Sequence, residues 1–259
     1  MKFIRAFWGD LSNFNERHKH EIIEVSKNKN LNEMVYVWGV ENNKFIKSLG
    51  YETILMSDNP TEYGDHYLYN SSTYMIHKLE AIKMGIKMFE EVIFLDWDCK
   101  QLKPIDKDFF YLLKLQDQEI QMPLYLYPKN YSDIILNEWG ELLDSERKKY
   151  VLKQQIFLQK HHYEWGNSFV TPNAGFIYCS NASIINDLIS ISYEHEIGIA
   201  TEEMAFVEYT KKLVSTLEEY VYRFEPLVCD AKYETHFNQK DLNKFISKLI
   251  KKNLYFIHE

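Results

Sequence analysis

Apolar and polar positions along this chain follow two periods. Residues 2–8, 34–39 and 52–56 are short apolar or alternating runs, and each reads as a strand. Between them, residues 15–27 and 42–49 carry apolar side chains at helical spacing, and Gly50 supplies a C-cap for the second. Residues 73–89 repeat the helical period through Met75, Leu79, Ile82 and Ile86. Val92, Ile93, Phe94 and Leu95 form an unbroken apolar run, the pattern of a strand covered on both faces. Strand and helix alternate throughout this stretch, which is the βαβ signature of a parallel sheet. The expected fold class is α/β, with a mixed, mostly parallel central sheet flanked by helices.

The second half is less regular. Asp58–Asn70 is rich in turn residues and predicts a long loop that could shape a site. A helix is expected over 106–115 and a strand over 120–127, ended by Pro128. Residues 132–159 have near-helical apolar spacing. Gly175 followed by Phe176, Ile177 and Tyr178 predicts a turn entering a strand that ends at Asn181. Helices follow over 183–194 and from Thr201, whose acidic first turn is a good N-cap pattern. Strands are expected at 219–228 and 253–259. The whole, 1–259, reads as one domain.

Composition narrows the classes. With 46% hydrophobic and 26% charged residues the chain has the make-up of a soluble globular protein. A net charge of −8 argues against nucleic-acid or anionic-membrane partners, which attract basic faces. The three cysteines, Cys99, Cys179 and Cys229, have neither disulfide-framework nor zinc spacing, which implies a reducing compartment. No leader and no apolar stretch of transmembrane length is seen, so a cytoplasmic location is expected. The 15% aromatic share is high; most of it is read as packing, with a minority free to stack on a base or sugar.

The candidate chemistry starts at Asp96-Trp97-Asp98. In an extended chain residues i and i+2 share a side, so Asp96 and Asp98 can face one ligand. Two adjacent carboxylates repel unless a cation sits between them, and a hard divalent ion, Mn²⁺ or Mg²⁺, suits oxygen donors. The structural alternative is that Asp96 caps a turn and Asp98 is solvated. Cys99 is a poor ligand for a hard cation and reads as a small buried residue. Phe7, Trp8, Gly9 and Asp10 end the first strand and would border a pocket at the sheet's carboxyl edge, unless the two aromatics are core. Lys78 lies near a helix N-terminus, where a cation opposes the dipole and requires either solvation or a specific partner. No Gly-x-Gly-x-x-Gly follows the first strand, so the dinucleotide fingerprint is missing.

Ile93 to Asp98, followed by Leu102-Lys103-Pro104, resembles the Asp-x-Asp segment of GT-A nucleotide-sugar glycosyltransferases, and within them the family-8-like enzymes with a DXD sugar-binding region. The resemblance implies a GT-A, Rossmann-like sheet in a single domain over 1–259, with a nucleotide-binding half over 1–115 and an acceptor-side half over 116–259. It implies a sugar transfer from a nucleotide-diphosphate sugar, expected to be a UDP-sugar, with retention at the anomeric carbon. Phe7, Trp8, Gly9 and Asp10 would meet the nucleotide, and Lys78, Asp96 and Trp97 the donor. Thr171-Pro172-Asn173-Ala174-Gly175 is similar to the family's Asn-small-Gly segment, so Asn173, Ala174 and Gly175 would contact the donor sugar. Glu202 and Glu203 match in order an acidic pair near the reacting carbon, with Glu203 preferred, although the family more often carries Asp there. Asp96, Asp98 and His258 would hold the metal, with His236 as the competing third ligand. The family's diphosphate-binding Gly-x-x-Lys-Pro-Trp stretch does not follow His258. The acceptor is open, a surface glycan precursor before protein or modified nucleic-acid bases. Nucleotidyl transfer and a non-catalytic sugar- or metal-binding module are the alternatives.

Overall fold

The computed structural model describes residues 1–9, 16–27, 31–58, 76–115, 119–122, 124–130, 132–133, 136–137, 141, 145–161, 163–165, 167–172, 174–194, 201–214, 228–230 and 255–258. Asp10, Asn173, His236, the loop over 59–70 and most of the strand expected at 219–228 lie outside the described residues.

Three βα units open the chain. β1 (Lys2–Phe7) leads through α1 (Glu16–Lys27) to β2 (Glu33–Trp38), then α2 (Val40–Ser48), β3 (Glu52–Ser57), α3 (Ile76–Phe89) and β4 (Val92–Leu95). β1, β2, β3 and β4 are all parallel. Later come β5 (Cys99–Gln101), α4 (Lys107–Leu115), β6 (Ile120–Gln121), β7 (Leu124–Pro128), α5 (Ser145–His161), β8 (Tyr163–Trp165), β9 (Ser168–Pro172) and β10 (Phe176–Cys179). α6 (Ala182–Glu194), α7 (Thr201–Lys211), β11 (Val228–Asp230) and β12 (Phe256–His258) complete the set. The main sheet has the order β3-β2-β1-β4-β10-β6, with β10 antiparallel to both its neighbours. This is the mixed, mostly parallel α/β architecture expected. Two three-stranded sheets stand beside it, β11-β12-β5 and β7-β9-β8.

The strand order fixes where a ligand can sit. From β1 the chain winds outward to β2 and β3, then returns through α3 to place β4 on the other side of β1. The carboxyl ends of β1 and β4 therefore flank a topological switch point, where connections diverge and leave a crevice.

Strand alternation sends side chains to two cores. Ile4, Ala6, Tyr36, Val92, Phe94 and Ile177 pack with α3, α6 and α7. On the opposite face, Phe3, Ile93, Leu95 and Phe176 meet Phe109 and Leu113 of α4 with Tyr255 and Phe256, while Phe7, Val35 and Val37 meet Ile22 and Ile46. α3 lies close on the sheet because Gly85 has no side chain; a Cβ there would stand 2.8 Å from Val92 Cγ1 and 3.0 Å from Ile4 Cδ1.

Local signals explain the boundaries. Asp106 caps α4, its Oδ1 accepting from Phe109 N at 3.0 Å, and Asn181 caps α6, accepting from Ser183 N at 2.8 Å. Gly50 takes the left-handed φ of 81° and donates to Lys47 O, closing α2 as its position predicts. One expectation is corrected: 120–127 is not a single strand. It divides into β6, in the main sheet, and β7, in a separate one, around Pro123, whose missing N–H cannot continue a ladder. Among the described residues no helix is long and apolar enough to cross a membrane.

Candidate functional site

Asp96 follows β4 directly, at the switch point, and is held from four directions. Its N–H donates to Gly175 O at 2.8 Å, carrying the β4–β10 pairing one residue further. Its carbonyl accepts from Cys99 N at 3.0 Å and also from Arg5 Nη1. Its Oδ2 accepts from Lys78 Nζ at 2.9 Å. The bond from Cys99 back to Asp96 closes a β-turn over 96–99. The strand alternation expected to align Asp96 with Asp98 therefore does not operate, because the chain turns at Trp97 and Asp98. The turn instead keeps both carboxylates close to the Cys99 thiol. That thiol is 1% exposed; burial, with both carboxylate charges, holds its pKa well above the ordinary value against the lowering effect of Arg5.

Lys78 is not a solvated lysine. It is 3% exposed, and its ammonium bridges Asp96 Oδ2 and Glu202 Oε1, each at 2.9 Å, with Ala174 O at 3.3 Å. Burial alone would pull its pKa down; the charges and hydrogen bonds of Asp96 and Glu202 outweigh that and hold it well above the ordinary lysine value. These two carboxylates offset the electrostatic cost of a cation near the start of α3.

Both glutamates of the α7 first turn are buried, and they do different work. Glu203 Oε1 accepts from Ala174 N at 2.9 Å and so fastens the turn that leads into β10. Glu202 spends one oxygen on Lys78, while its other, Oε2, is buried with no hydrogen-bond partner among the described residues. An unpaired buried carboxylate oxygen is costly, so this atom marks a place where a donor from a ligand would be satisfied. The N-cap pattern read from the sequence supplies negative charge at the helix start, but the side chains are committed to tertiary partners.

The remaining predicted positions spread around this centre. Trp8 stacks on His77 with rings 5.5 Å apart and 10° from parallel, and Trp38 meets the same imidazole edge-on at 4.8 Å. Phe7 is 2% exposed on the opposite face, packed with Phe45 and Trp97. Gly9, at φ 93°, offers its carbonyl to Asn42 Nδ2 at 2.6 Å, and the same amide donates to Trp38 O at 2.6 Å. The Trp97 indole donates to Ala6 O at 2.9 Å. The register of β12 sets His258 opposite Cys99, one residue beyond Asp98, with Asp230 on its other side. The His258 side chain is outside the described residues.

Sequence reading missed Arg5, Glu33, His77 and Asn42. Arg5 is 2% exposed inside β1 and pairs with Glu33 Oε1 through Nη2 at 2.9 Å and Nε at 3.2 Å. The signal was a charge in the middle of an apolar strand; its partner, 28 residues away, has no sequence signature.

Lys78 stands between the carboxylates of Asp96 and Glu202, while Arg5 pairs with Glu33. The excess negative charge and the oxygen-only donors at Asp96 and Asp98 suit a divalent ion. Among the described residues no three His, Cys, Asp or Glu side chains form a metal cluster. What the fold and the site define is an α/β protein with an anionic centre at its switch point.

No family model and no curated relative matches the sequence. Among solved structures, the chain is similar to mouse xyloside xylosyltransferase 1 in its apo form, at 9% identity and a TM-score of 0.43, over 100% of this chain and 97% of that one. It is similar to a glycosyltransferase involved in glycosylation of the major capsid of PBCV-1, at 13% identity and a TM-score of 0.41, over 100% and 93%. A CTP:phosphocholine cytidylyltransferase from Streptococcus pneumoniae, LicC, aligns at 8% identity and a TM-score of 0.36, over 85% and 96%. At these scores the likenesses carry no weight beside the geometry of the site.

Proposed function

We infer that this protein is a divalent-metal-dependent glycosyltransferase using a nucleotide-diphosphate sugar, with UDP as the nucleotide. The observation that carries this reading is the convergence of Lys78, Asp96, the Ala174–Gly175 turn and Glu202 at one point. These residues lie far apart in sequence, at the order and types that the Asp-x-Asp resemblance implies. Mn²⁺ or Mg²⁺ would be held by Asp96 and Asp98, with His258 as the third ligand. Bound there, the ion would supply positive charge to the leaving diphosphate. An anionic diphosphate entering without such an ion would meet the excess of carboxylates.

The other residues have roles of their own. Lys78 fixes the Asp96 carboxylate and holds Glu202. Glu202 Oε2 takes a hydrogen bond from a sugar hydroxyl, and Glu203 acts through the Ala174 turn. In this reading Glu202 is the substrate-facing glutamate. Trp8, backed by His77, lies on the nucleotide side. The acceptor is a glycan precursor, and transfer proceeds with retention.

Thermal shift with UDP, GDP, ADP and CDP, each with Mn²⁺ and with EDTA, tests the reading. Ligand at about 100 times its Kd stabilises by about 2.7 kcal/mol, which is a readable shift. Stabilisation by one nucleotide, dependent on Mn²⁺ and abolished in Asp98→Asn, is the expected result. A folded protein that responds to none of them refutes it.

A further inference from the structure

Arg5 is placed where an apolar residue would be the simpler choice. It sits mid-strand on the face opposite Lys78, 2% exposed, and a buried arginine must satisfy its donors. Two of them go to Glu33 Oε1. A pair that only neutralised itself would stop there. Arg5 instead sends Nη1 to the carbonyl of Asp96, and its guanidinium lies over the Trp97 ring, 5.1 Å from the centroid. The next residue, Ala6, accepts from Trp97 Nε1. Consecutive residues of β1 thus stitch down consecutive residues of the turn.

We propose that Arg5 is a positioning residue: it fixes the Asp96–Trp97–Asp98 turn, and with it the Asp96 carboxylate that would hold a divalent cation. The proposal rests on the transferase reading above. A turn held only through the Asp96 side chain, by Lys78, would be free to pivot about that contact. Arg5 opposes that motion from beneath the turn, while Lys78 restrains Asp96 from the other face. The planar fork matters, because it serves Glu33 and Asp96 O together; an ammonium in its place has no such fixed geometry. Residues that orient ligands in this way typically change metal affinity by about 10–100-fold when altered.

The test compares wild type with Arg5→Lys. Affinity for Mn²⁺, alone and with UDP, is read by electron paramagnetic resonance, and amide hydrogen exchange is read at Cys99, whose N–H bonds to Asp96 O. In Arg5→Lys, Mn²⁺ affinity is expected to fall about 10–100-fold, with faster exchange at Cys99 and unchanged exchange at Val35 and Val37. Glu33→Gln, which weakens the hold on Arg5 without removing it, shifts both readouts the same way and carries the test if Arg5→Lys does not fold. Wild type that binds Mn²⁺ beside variants that bind it equally well overturns the proposal alone. Wild type that binds neither Mn²⁺ nor Mn²⁺ with UDP overturns the transferase reading and the proposal with it.

Discussion

Replacing Lys78 by Met removes the one cation shared by two carboxylates. The side chains of Lys78 and Glu202 are each 4% exposed, whereas that of Asp96 is 28% exposed. Glu202 is therefore left buried and uncompensated, while Asp96 regains water. Breaking a buried pair from one side costs about 3–5 kcal/mol, and the exposed partner adds little. At an m-value of about 3 kcal/mol/M, the urea midpoint falls by about 1 M or more. The wild-type contribution has a definite pH sign. The folded pKa of Lys78 is raised, so its stabilisation is fully present below the ordinary lysine range and is lost only as pH rises beyond it. The deficit in Lys78→Met is thus nearly constant across neutral pH. Adding Glu202→Leu removes the stranded charge, so the double variant recovers about 2 kcal/mol relative to Lys78→Met. Urea unfolding at constant m measures Lys78→Met, Glu202→Leu and the double variant. A Lys78→Met cost below about 1 kcal/mol, or a double variant as destabilised as the sum of the singles, refutes the reasoning.

Other outcomes follow from single contacts. Glu203→Gln weakens the acceptor for Ala174 N and lowers stability by about 1 kcal/mol, with reduced donor affinity, read by urea unfolding and nucleotide-sugar titration. Gly85→Val drives its side chain into Val92 and Ile4 and costs about 2 kcal/mol or more on thermal unfolding. Burial holds the Cys99 thiol well above its usual value and pushes that of Cys179 up to about 12, so neither is alkylated in native protein at mildly alkaline pH, and mass mapping finds both labelled only after unfolding. Both folded thiol values exceed the unfolded one, so their stabilisation is complete below about pH 8.5 and shrinks as pH rises.

The sequence carried the outline of the sheet because each strand reports its own burial. Val92–Leu95 is apolar on both faces, and it is buried on both. The motif order also placed Lys78, Asp96, Gly175 and Glu202 in one neighbourhood. What stayed illegible was pairing across distance. Nothing local says that Lys78 is sheltered rather than solvated, since that depends on Glu202, 124 residues away. The Arg5–Glu33 pair and the Asn42 link to Gly9 are hidden for the same reason. Local chemistry misled at 96–99, where β4 ends in a turn and alternation no longer applies, and at Pro123, where one apolar run serves two sheets.

The position of β10 has a consequence for how the chain is made. β10 is the antiparallel strand that covers β4, and it lies more than eighty residues downstream of it. During synthesis, β1 to β4 and α4 are complete while the outer side of β4, the most apolar strand, is still an open edge. Such edges recruit other chains. A product ending after α4 is therefore expected to aggregate, and native pairing waits for a long loop to close, which slows folding. One side of β4 stays unprotected until β10 arrives.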